Sequence, residues 1–331
     1  MIETKTAQGT FGKAINWTIS AAMEHDPDVF IIGEDIGPYG GAFGITAGLY
    51  ERFGKARVLD TPISEAGLVG VAVGAATMGM RPIVEIQFSD FLLNAMDAIV
   101  NQAAKLHFMF GGNVTVPLVI RSPFGGGVGL AAQHSQSLEA WFYHIPGLKV
   151  VAPSTPDDAR GLLLAALDDP NPVMFFEHKL LYATKGPVQE SLERIPLGRA
   201  AVRRQGASAT VVSYSFALHR TLEAAEKLME YGIDLEVIDL RTLFPLDIET
   251  VIASVERTGR LAVCHEAVVR GGIGGDIVAQ VCASRAFSKL KGPVLRIGAK
   301  ESPVPYSPPL ESFVLPSVER ITAELKAWLR P

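Results

Sequence analysis

The chain alternates short apolar segments with longer segments of helical periodicity, and this alternation constrains its fold more than any other feature. Asp28–Gly33 is typical of a buried strand, because a short apolar run follows Pro27 and ends in a glycine. Four further segments have the same character: Pro82–Phe88, Val116–Arg121, Leu148–Val151 and Val173–Glu177. Helical patterns lie between the strands, at Thr10–His25, Ala66–Met80, Asp90–Phe110 and Pro156–Leu167. Continuous apolar strands separated by helices predict a parallel sheet that helices cover on both faces.

A second alternation follows a polar stretch, Tyr182–Gly206, that has no clear period and that we interpret as a linker. Strands are predicted at Ala209–Ser215, Leu235–Leu240, Leu261–His265 and Val294–Ile297. Helices are predicted at Ala217–Tyr231, Asp247–Thr258, Ile273–Phe287 and Ser317–Leu329. We therefore expect an α/β fold of two domains, each a mainly parallel sheet covered by helices. The first domain is placed at residues 1–185, the linker at 186–206 and the second domain at 207–331.

Composition excludes several classes of protein. The formal net charge of −5 argues against a broadly basic nucleic-acid-binding protein. Two cysteines, Cys264 and Cys282, are too few for a disulfide framework and indicate a reducing compartment. No uncharged apolar run reaches the ~18 residues that a membrane-spanning helix needs. We expect a cytoplasmic protein that binds neither nucleic acid nor membrane.

The common catalytic motifs are weak or absent. Gly127–Ala132 fits G-x-G-x-x-A, a dinucleotide-binding pattern. However, Ser122–Gly127 separates it from the preceding strand, and no acidic residue ends a following strand at the right distance. The sequence contains no H-E-x-x-H, paired C-x-x-C, G-x-S-x-G or G-x-x-x-x-G-K-[ST]. Zinc proteases, zinc ribbons, α/β-hydrolases and P-loop proteins therefore lose their main support.

Glu65 opens a helical segment that has no charged residue over positions 66–80. One interpretation is an acid that complements the helix dipole in the first turn. The other is a carboxylate desolvated at an apolar interface, with a raised pKa and a role in proton transfer. Three glycines share one side of the same helix: Gly67, Gly70 and Gly74. They predict close packing, either within the domain or against a partner chain.

Two polar segments allow both a structural and a functional interpretation. His134 lies between glutamines after the glycine-rich loop Gly125–Gly127. It is either a hydrogen-bonded polar residue or a proton donor, since an unperturbed histidine has a pKa near ~6.5. Asp168–Pro172 has the composition of a turn, and its backbone carbonyls could also face a hard cation.

Taken in order, these segments resemble the beta subunits of thiamine-diphosphate-dependent 2-oxo acid dehydrogenases. In the first half the resemblance is carried by GED (Gly33–Asp35), DTPISE (Asp60–Glu65), EIQFSDF (Glu85–Phe91), RSPFGGG (Arg121–Gly127), QHSQ (Gln133–Gln136), PGLKVVAPSTPDDARGLL (Pro146–Leu163) and NPV-x-F-x-E (Asn171–Glu177). The second half continues with DLRTLFPLDIETV (Asp239–Val251) and HEA-x-x-x-GG-x-G (His265–Gly274). The resemblance covers nearly the whole chain. It implies a pyrimidine-binding domain followed by a transketolase-type C-terminal domain, in agreement with the two predicted α/β units.

The resemblance implies roles for individual residues. In this family the cofactor's own aminopyrimidine removes a proton from the thiazolium carbon, after a carboxylate protonates the opposite ring nitrogen. Glu65 matches that carboxylate, Phe91 matches the aromatic residue that contacts the pyrimidine ring, and Gln87 is expected to bind the cofactor. His134 matches the histidine that supplies a proton when the acyl group passes to a lipoyl arm. The resemblance also implies that Glu34 lies near the cofactor, but no role is assigned to it.

Metal sites and partners are implied in the same way. A potassium ion would be held, mostly through backbone oxygens, at Leu118, Ala166, Leu167, Asp169 and Asn171. The family binds the cofactor's diphosphate through magnesium, using a Gly-Asp-Gly segment that this chain lacks; Gly275–Ile277 is the nearest match. The resemblance therefore assigns magnesium to a separate alpha subunit, so that this chain holds half of an active site. The expected partners are the alpha subunit of an α2β2 heterotetramer, a lipoyl-bearing acyltransferase core and a dihydrolipoyl dehydrogenase.

The substrate stays open among three types. The stretch QHSQSLEAWF resembles pyruvate- or acetoin-type members, whereas EIQFSDF and the HEA segment also occur in branched-chain types. We expect a pyruvate-type enzyme, with branched-chain and acetoin dehydrogenases as alternatives. Two other classes are a non-catalytic structural partner and a self-contained enzyme of the deoxyxylulose-phosphate synthase type. The Glu65 and His134 motifs argue against the first, and the lack of a fused diphosphate domain argues against the second.

Overall fold

The computed structural model describes residues 6–330 and divides them into two α/β units. The first unit comprises residues 6–124 and 141–197, and the second comprises residues 125–140 and 198–330. The expected fold class, α/β with two mainly parallel sheets, is confirmed. Within residues 6–330, no helix is both long and apolar enough to cross a membrane.

The first unit contains six parallel strands in the order β6-β7-β5-β4-β2-β3 and an antiparallel pair, β1 and β8. The elements of residues 6–197 are β1 (Thr6–Thr10), α1 (Phe11–His25), β2 (Val29–Glu34), α2 (Leu49–Phe53), β3 (Val58–Thr61), α3 (Glu65–Thr77), β4 (Arg81–Glu85), α4 (Leu106–Met109), β5 (Val119–Phe124), α5 (Glu139–Tyr143), β6 (Lys149–Val151), α6 (Pro156–Asp168), β7 (Val173–His178) and β8 (Lys185–Gln189). Strands β2, β5 and β7 are buried along their whole length. This burial on both faces is the physical reason for their continuous apolar sequence.

The second unit is built on a five-stranded sheet in the order β14-β13-β10-β11-β9. Only β9 runs antiparallel to its neighbour among these strands. The elements of residues 198–330 are β9 (Ala201–Arg204), β10 (Ala209–Ser213), α7 (Ser215–Met229), β11 (Leu235–Asp239), β12 (Thr242–Phe244), α8 (Ile248–Thr258), β13 (Leu261–Val268), α9 (Gly274–Cys282), β14 (Leu295–Ala299), α10 (Pro308–Val314) and α11 (Val318–Leu329). The apolar sides of α7 and α11 pack on buried strand residues such as Val211 and Val237 and form the core of this unit.

The nine strands predicted from apolar runs are confirmed as β2, β4–β7, β10, β11, β13 and β14. The strands that the sequence did not predict are short or partly exposed, such as β1, β3 and β9, and therefore lack a continuous apolar run. The proposed linker, 182–206, is not without regular structure: β8 pairs with β1 in the first unit, and β9 pairs with β11 in the second.

Two predicted helices are interrupted. Residues 90–110 form a 3-10 segment (Ser89–Ala95), a π-helical segment (Ala98–Ala103) and the short helix α4 in place of one long helix. The wide turn is seen in the hydrogen bond from the Ala104 N–H to the Ile99 carbonyl, which brings both residues into the core. Helix α9 ends at Cys282, because the Ser284 hydroxyl then accepts the Ala286 N–H and starts a 3-10 turn.

The glycine side of α3 faces outward. Gly67, Gly70 and Gly74 are exposed, whereas Leu68 and Val69 on the other side are buried. A Cβ atom added at Gly70 or Gly74 would meet no atom of the described chain within 4 Å. The close packing that the glycines predict is therefore not made within the described residues.

Candidate functional site

The first group of predicted site residues lies at the carboxyl ends of three neighbouring strands. Strand β2 ends at Glu34, β4 is followed by Gln87, and β3 leads through a short loop to Glu65 at the start of α3. The three strands are parallel neighbours in the order β4-β2-β3. Their carboxyl ends therefore open at one edge of the sheet, where α/β proteins bind their ligands.

Two buried carboxylates lie together at this edge. Glu34 is 2% exposed and Glu65 is 7% exposed. Glu34 accepts a hydrogen bond from the Ser64 N–H at 3.1 Å, directly before the helix that Glu65 begins. Burial raises the pKa of Glu34, the Ser64 N–H lowers it, and the negative charges of Glu65 and Asp35 raise it further. Burial and the neighbouring like charges therefore favour the protonated form of Glu34.

Gln87 and Phe91 complete the predicted cofactor-binding group in the first unit. The Gln87 amide donates to Asp35 Oδ2 at 3.0 Å, beside Glu34. Phe91 packs edge-on against Phe88 with 5.7 Å between ring centroids, and Phe88 packs in the same way against Phe43 at 5.6 Å. The edge of the sheet thus offers carboxylates, an amide and aromatic rings.

Through Tyr182, a buried charge network contacts the aromatic group formed by Phe43, Phe88 and Phe91. The Arg121 guanidinium donates to both oxygens of Glu177, at 2.7 and 2.8 Å, and to Glu85 at 2.7 Å. The Tyr182 hydroxyl donates to Glu177 at 2.8 Å, and its ring packs on Phe43 at 5.5 Å. Paired and hydrogen-bonded in this way, the buried charges are compensated and fix the ends of β4, β5 and β7.

His134 belongs to the second unit, in the segment 125–140. The backbone N–H of His134 donates to the Ala131 carbonyl at 3.4 Å. The backbone N–H of Gly125 donates to the Gln136 carbonyl at 3.2 Å and closes the base of the loop. Ser135, beside it, is buried, and its hydroxyl has no hydrogen-bond partner among the described residues. Residues 135–138 line a cavity of about 340 Å³ within this unit, so His134 is carried by a loop that borders open space.

The five predicted potassium ligands meet around one turn of the first unit. The Leu118 carbonyl accepts the Val173 N–H at 2.9 Å, and the Ala166 carbonyl accepts the Asp169 N–H at 3.3 Å. The Leu167 carbonyl accepts the guanidinium of Arg81. The carboxylate of Asp169 accepts the Asn171 N–H at 3.0 Å and forms an ion pair with Lys149.

A cation at this turn would share these carbonyls, each of which has a second lone pair. Among residues 6–330, no three His, Cys, Asp or Glu side chains are grouped so that they could hold a metal ion. The potassium site therefore stays a prediction that rests on backbone oxygens.

The HEA segment has a structural explanation. His265 is fully buried, and its Nδ1 bonds to the Ala267 carbonyl at 3.0 Å. Burial lowers its pKa to about 4. A Cβ atom at Gly272 or Gly274 would lie 2.7 or 3.0 Å from the ring, so both glycines are needed for the backbone to pass beside it.

Glu34 belongs to the site, although no role could be assigned to it from the sequence. The available signal was its position as the last residue of a buried strand, next in space to the strand that leads to Glu65. An acid at the carboxyl end of a fully buried parallel strand faces the ligand edge of the sheet.

Comparison with known proteins supports the division into two α/β units. The family described as "Transketolase, pyrimidine binding domain" matches residues 8–185, and "Transketolase, C-terminal domain" matches residues 198–321. A solved structure of a split-gene transketolase, an inactive beta4 tetramer, superposes with a TM-score of 0.77 over 97% of this chain and 99% of that chain. At 23% identity, that likeness supports the fold alone.

Three curated relatives cover almost the whole chain. The beta subunit of acetoin:2,6-dichlorophenolindophenol oxidoreductase from Cupriavidus necator is 48% identical over 96% of each chain. The beta-1 subunit of the mitochondrial pyruvate dehydrogenase E1 component from Arabidopsis thaliana is 45% identical over 96% of this chain and 88% of its own length. The 2-oxoisovalerate dehydrogenase beta subunit from Bacillus subtilis is 43% identical over 95% of this chain and 96% of its own.

The fold and these relatives define a transketolase-like protein with a pyrimidine-binding domain and a transketolase C-terminal domain. Within that class, the chain belongs to the family of beta subunits of 2-oxo acid and acetoin dehydrogenases, which are oxidoreductases.

Proposed function

We propose that this chain supplies the pyrimidine side of a thiamine-diphosphate site that it shares with an alpha subunit. The observation that carries the proposal is the pair of buried carboxylates, Glu34 and Glu65, at the ligand edge of the first sheet. Phe91 and Gln87 at the same end supply an aromatic surface and an amide. These donors fit an aminopyrimidine ring, which needs an apolar contact for its face and polar partners for its nitrogens. When bound, thiamine diphosphate supplies a nucleophilic carbon that takes up the acyl carbon of the substrate.

In this proposal Glu65 holds a proton in common with a ring nitrogen of the cofactor. Burial and the negative charge of Glu65 raise the pKa of the neighbouring Glu34, and both side chains are almost fully removed from solvent. Phe91 contacts the ring face, and Gln87 offers its amide to polar atoms of the same ring. Magnesium and the diphosphate are held mainly by the alpha subunit, because this chain has no Gly-Asp-Gly segment.

His134 would act in the second half of the reaction. When the acyl group passes to a lipoyl disulfide, the S–S bond breaks and a carbon–sulfur bond forms on one sulfur. The other sulfur leaves as a thiolate and takes up a proton. A histidine side chain is a common general acid in enzymes and is suited to donate that proton. The acceptor would be the lipoyl domain of an acyltransferase core. Once the acyltransferase has passed the acyl group on, a dihydrolipoyl dehydrogenase would reoxidise the two thiols to the disulfide.

We propose pyruvate as the substrate and acetoin as the second candidate. Both are small two-carbon-unit donors, and the acetoin relatives from Cupriavidus necator and Bacillus subtilis share 48% and 46% identity with this chain. Potassium at the Asp169 turn and an α2β2 assembly are further parts of the proposal. A cytoplasmic location stays a prediction.

The test is reconstitution with an alpha subunit of the same family. The chain alone, supplied with thiamine diphosphate and magnesium, is expected to have no decarboxylase activity with an artificial electron acceptor. The mixture of both chains is expected to be active and to have the mass of an α2β2 tetramer. Decarboxylation by the chain alone, at a rate comparable to that of the pair, would contradict the shared site. Values of kcat/KM for pyruvate, 3-methyl-2-oxobutanoate and acetoin then identify the substrate.

A further inference from the structure

The glycine-rich loop that leads to His134 is held by two buried carboxylates. Oxygen Oε1 of Glu311 accepts the Gly127 N–H at 2.7 Å, and Oε2 accepts the Gly129 N–H at 3.1 Å. Glu266 accepts the Gly126 N–H at 2.7 Å. Three backbone donors of one short loop are thus bound by carboxylate oxygens of the same unit. Charge-assisted bonds of this kind are roughly twice as strong as bonds between neutral groups.

The glycines are what allow this arrangement. Gly127 and Gly129 have φ values of +94° and +70°, where side chains are rarely found. A Cβ atom at Gly126 would lie 2.8 Å from Leu315 and 3.4 Å from the Glu311 carboxylate. The loop therefore curls its N–H groups around an acid, as backbone nests do around anions. Here the Glu311 side chain takes the place that a bound anion has in other nests.

Glu311 is placed firmly enough to position the loop. It is 4% exposed and lies in α10, which begins with Pro308 and Pro309. The loop in turn is closed at its base by the bond from Gly125 to Gln136, so the segment that contains His134 is fixed at both ends.

From these contacts we infer that Glu311, assisted by Glu266, is a positioning residue for His134. The inference rests on the proposed role of His134 as proton donor. Glu311 does not itself touch the reacting groups; it fixes the backbone from which the histidine extends. Loss of one of its two oxygen acceptors therefore loosens the loop and impairs the step that uses His134, but not the step at Glu65.

The first experiment measures the loop directly in the full chain, without substrate. Glu311→Gln keeps the size of the side chain but replaces one acceptor oxygen with an NH2 group. Hydrogen–deuterium exchange of peptides covering residues 125–134 is expected to be at least about tenfold faster in this variant, because a bond to a charged acceptor is lost. Glu319→Gln, at a site whose side chain is 78% exposed, is the matched control and should leave that exchange unchanged. Unchanged exchange in Glu311→Gln would overturn the inference.

The second experiment separates the two half-reactions in the reconstituted complex. In Glu311→Gln, the rate of acyl transfer to a lipoyl domain is expected to fall about tenfold more than the rate of decarboxylation, which is followed with an artificial electron acceptor. The double variant Glu311→Gln/His134→Ala is expected to be no slower than His134→Ala alone. Equal loss in both half-reactions, or additive losses in the double variant, would overturn the positioning role. Glu311→Asp, which keeps the charge, provides the same readouts if the glutamine variant does not fold.

Failure of the proposed function gives a different result. If His134→Ala leaves both half-reactions unchanged, the proton-donor role is wrong, whereas faster exchange in Glu311→Gln still shows that the carboxylate holds the loop.

Discussion

At the scale of single residues, burial decides which acids can take part in chemistry. Glu51 and Glu65 both lie in the first turn of a helix, but Glu51 is exposed and Glu65 is buried beside Glu34. A dipole-complementing acid and a desolvated acid cannot be distinguished from the sequence, because both lie at the same local position of a helix. Glu65 differs from Glu51 because the end of β2, at Glu34, lies beside it, and Glu34 is distant from Glu65 in the sequence.

Replacing Glu65 with Gln is expected to abolish turnover without disrupting assembly. The amide has the same shape but cannot share a proton with a ring nitrogen, and general acid–base assistance is worth about 10²–10⁴-fold. The measurement is kcat of the reconstituted complex, with its mass as the assembly readout. Glu51→Gln is the matched control and should keep wild-type kcat. If Glu65→Gln retained more than about a tenth of wild-type kcat, the proton-sharing role would be wrong.

Glu139 makes the stability of the chain depend on pH. Burial raises its pKa to about 7 from an ordinary value of 4.5, while the Tyr214 hydroxyl donates to its Oε1. Between about pH 4.5 and pH 7, Glu139 therefore keeps a proton in the folded chain that it releases in the unfolded chain. The resulting stability is complete below pH 4.5 and is lost as the pH rises through 7.

The loss from this one group is at most about 3 kcal/mol. In Glu139→Gln the side chain is neutral at every pH, so the fall in Tm between pH 5 and pH 8 is expected to be smaller than in the wild type. The exposed Glu226→Gln should show the wild-type fall. An equal fall in Glu139→Gln would mean that Glu139 is already charged in the folded chain.

At the scale of secondary-structure elements, the caps decide where helices begin. The Thr155 hydroxyl accepts the Asp158 N–H at 3.2 Å and donates to the Asp158 carboxylate at 2.6 Å, directly before Pro156. This start was readable from the sequence because every part of it is local.

Thr155→Ala is expected to destabilise α6 by about 1 kcal/mol, which lowers Tm by about 2–4 °C in a unit of this size. The matched control is Ser307→Ala, since Ser307 precedes α10 but makes no capping hydrogen bond with its side chain. Thermal unfolding followed by circular dichroism provides the comparison. Equal Tm values for both variants would show that the Thr155 cap contributes nothing measurable.

Secondary-structure elements that were predicted wrongly are determined by tertiary packing and not by local sequence. The break of the predicted helix at residues 90–110 places Phe91 against Phe88 and brings Ile99 into the core. Hydrophobic periodicity shows which residues are apolar. It does not show that a 3-10 segment followed by a π-helical segment packs these residues better than one regular α-helix. The partly exposed strands β1 and β8 were missed because their pairing is between distant segments.

At the scale of the whole molecule, the outward glycine side of α3 indicates a partner. Gly70 and Gly74 reduce the intrinsic stability of the helix, and nothing in the described chain packs on them. From the sequence, this side could pack either within the domain or against another chain, and the exposure of the glycines favours packing against another chain.

Gly70→Leu is expected to weaken association with the alpha subunit by at least about tenfold in Kd while leaving the Tm of the chain alone equal or higher. The leucine prevents close approach of a second backbone, but it has open space around it and a better helix propensity than glycine. Glu226→Leu, at an exposed position of α7, is the control. Wild-type assembly of Gly70→Leu, measured by mass photometry over a dilution series, would place the alpha subunit elsewhere.

The division of the chain also limits how these units can be recombined. Because residues 125–140 belong to the second unit, the polypeptide passes between the units at three points along its length. A gene cut near residue 197 would leave the His134 segment on one fragment and the carboxylates of Glu266 and Glu311 on the other. The two units therefore cannot be exchanged by a single crossover. Chimeras between relatives should keep function only when residues 125–140 and residues 198–330 come from the same parent.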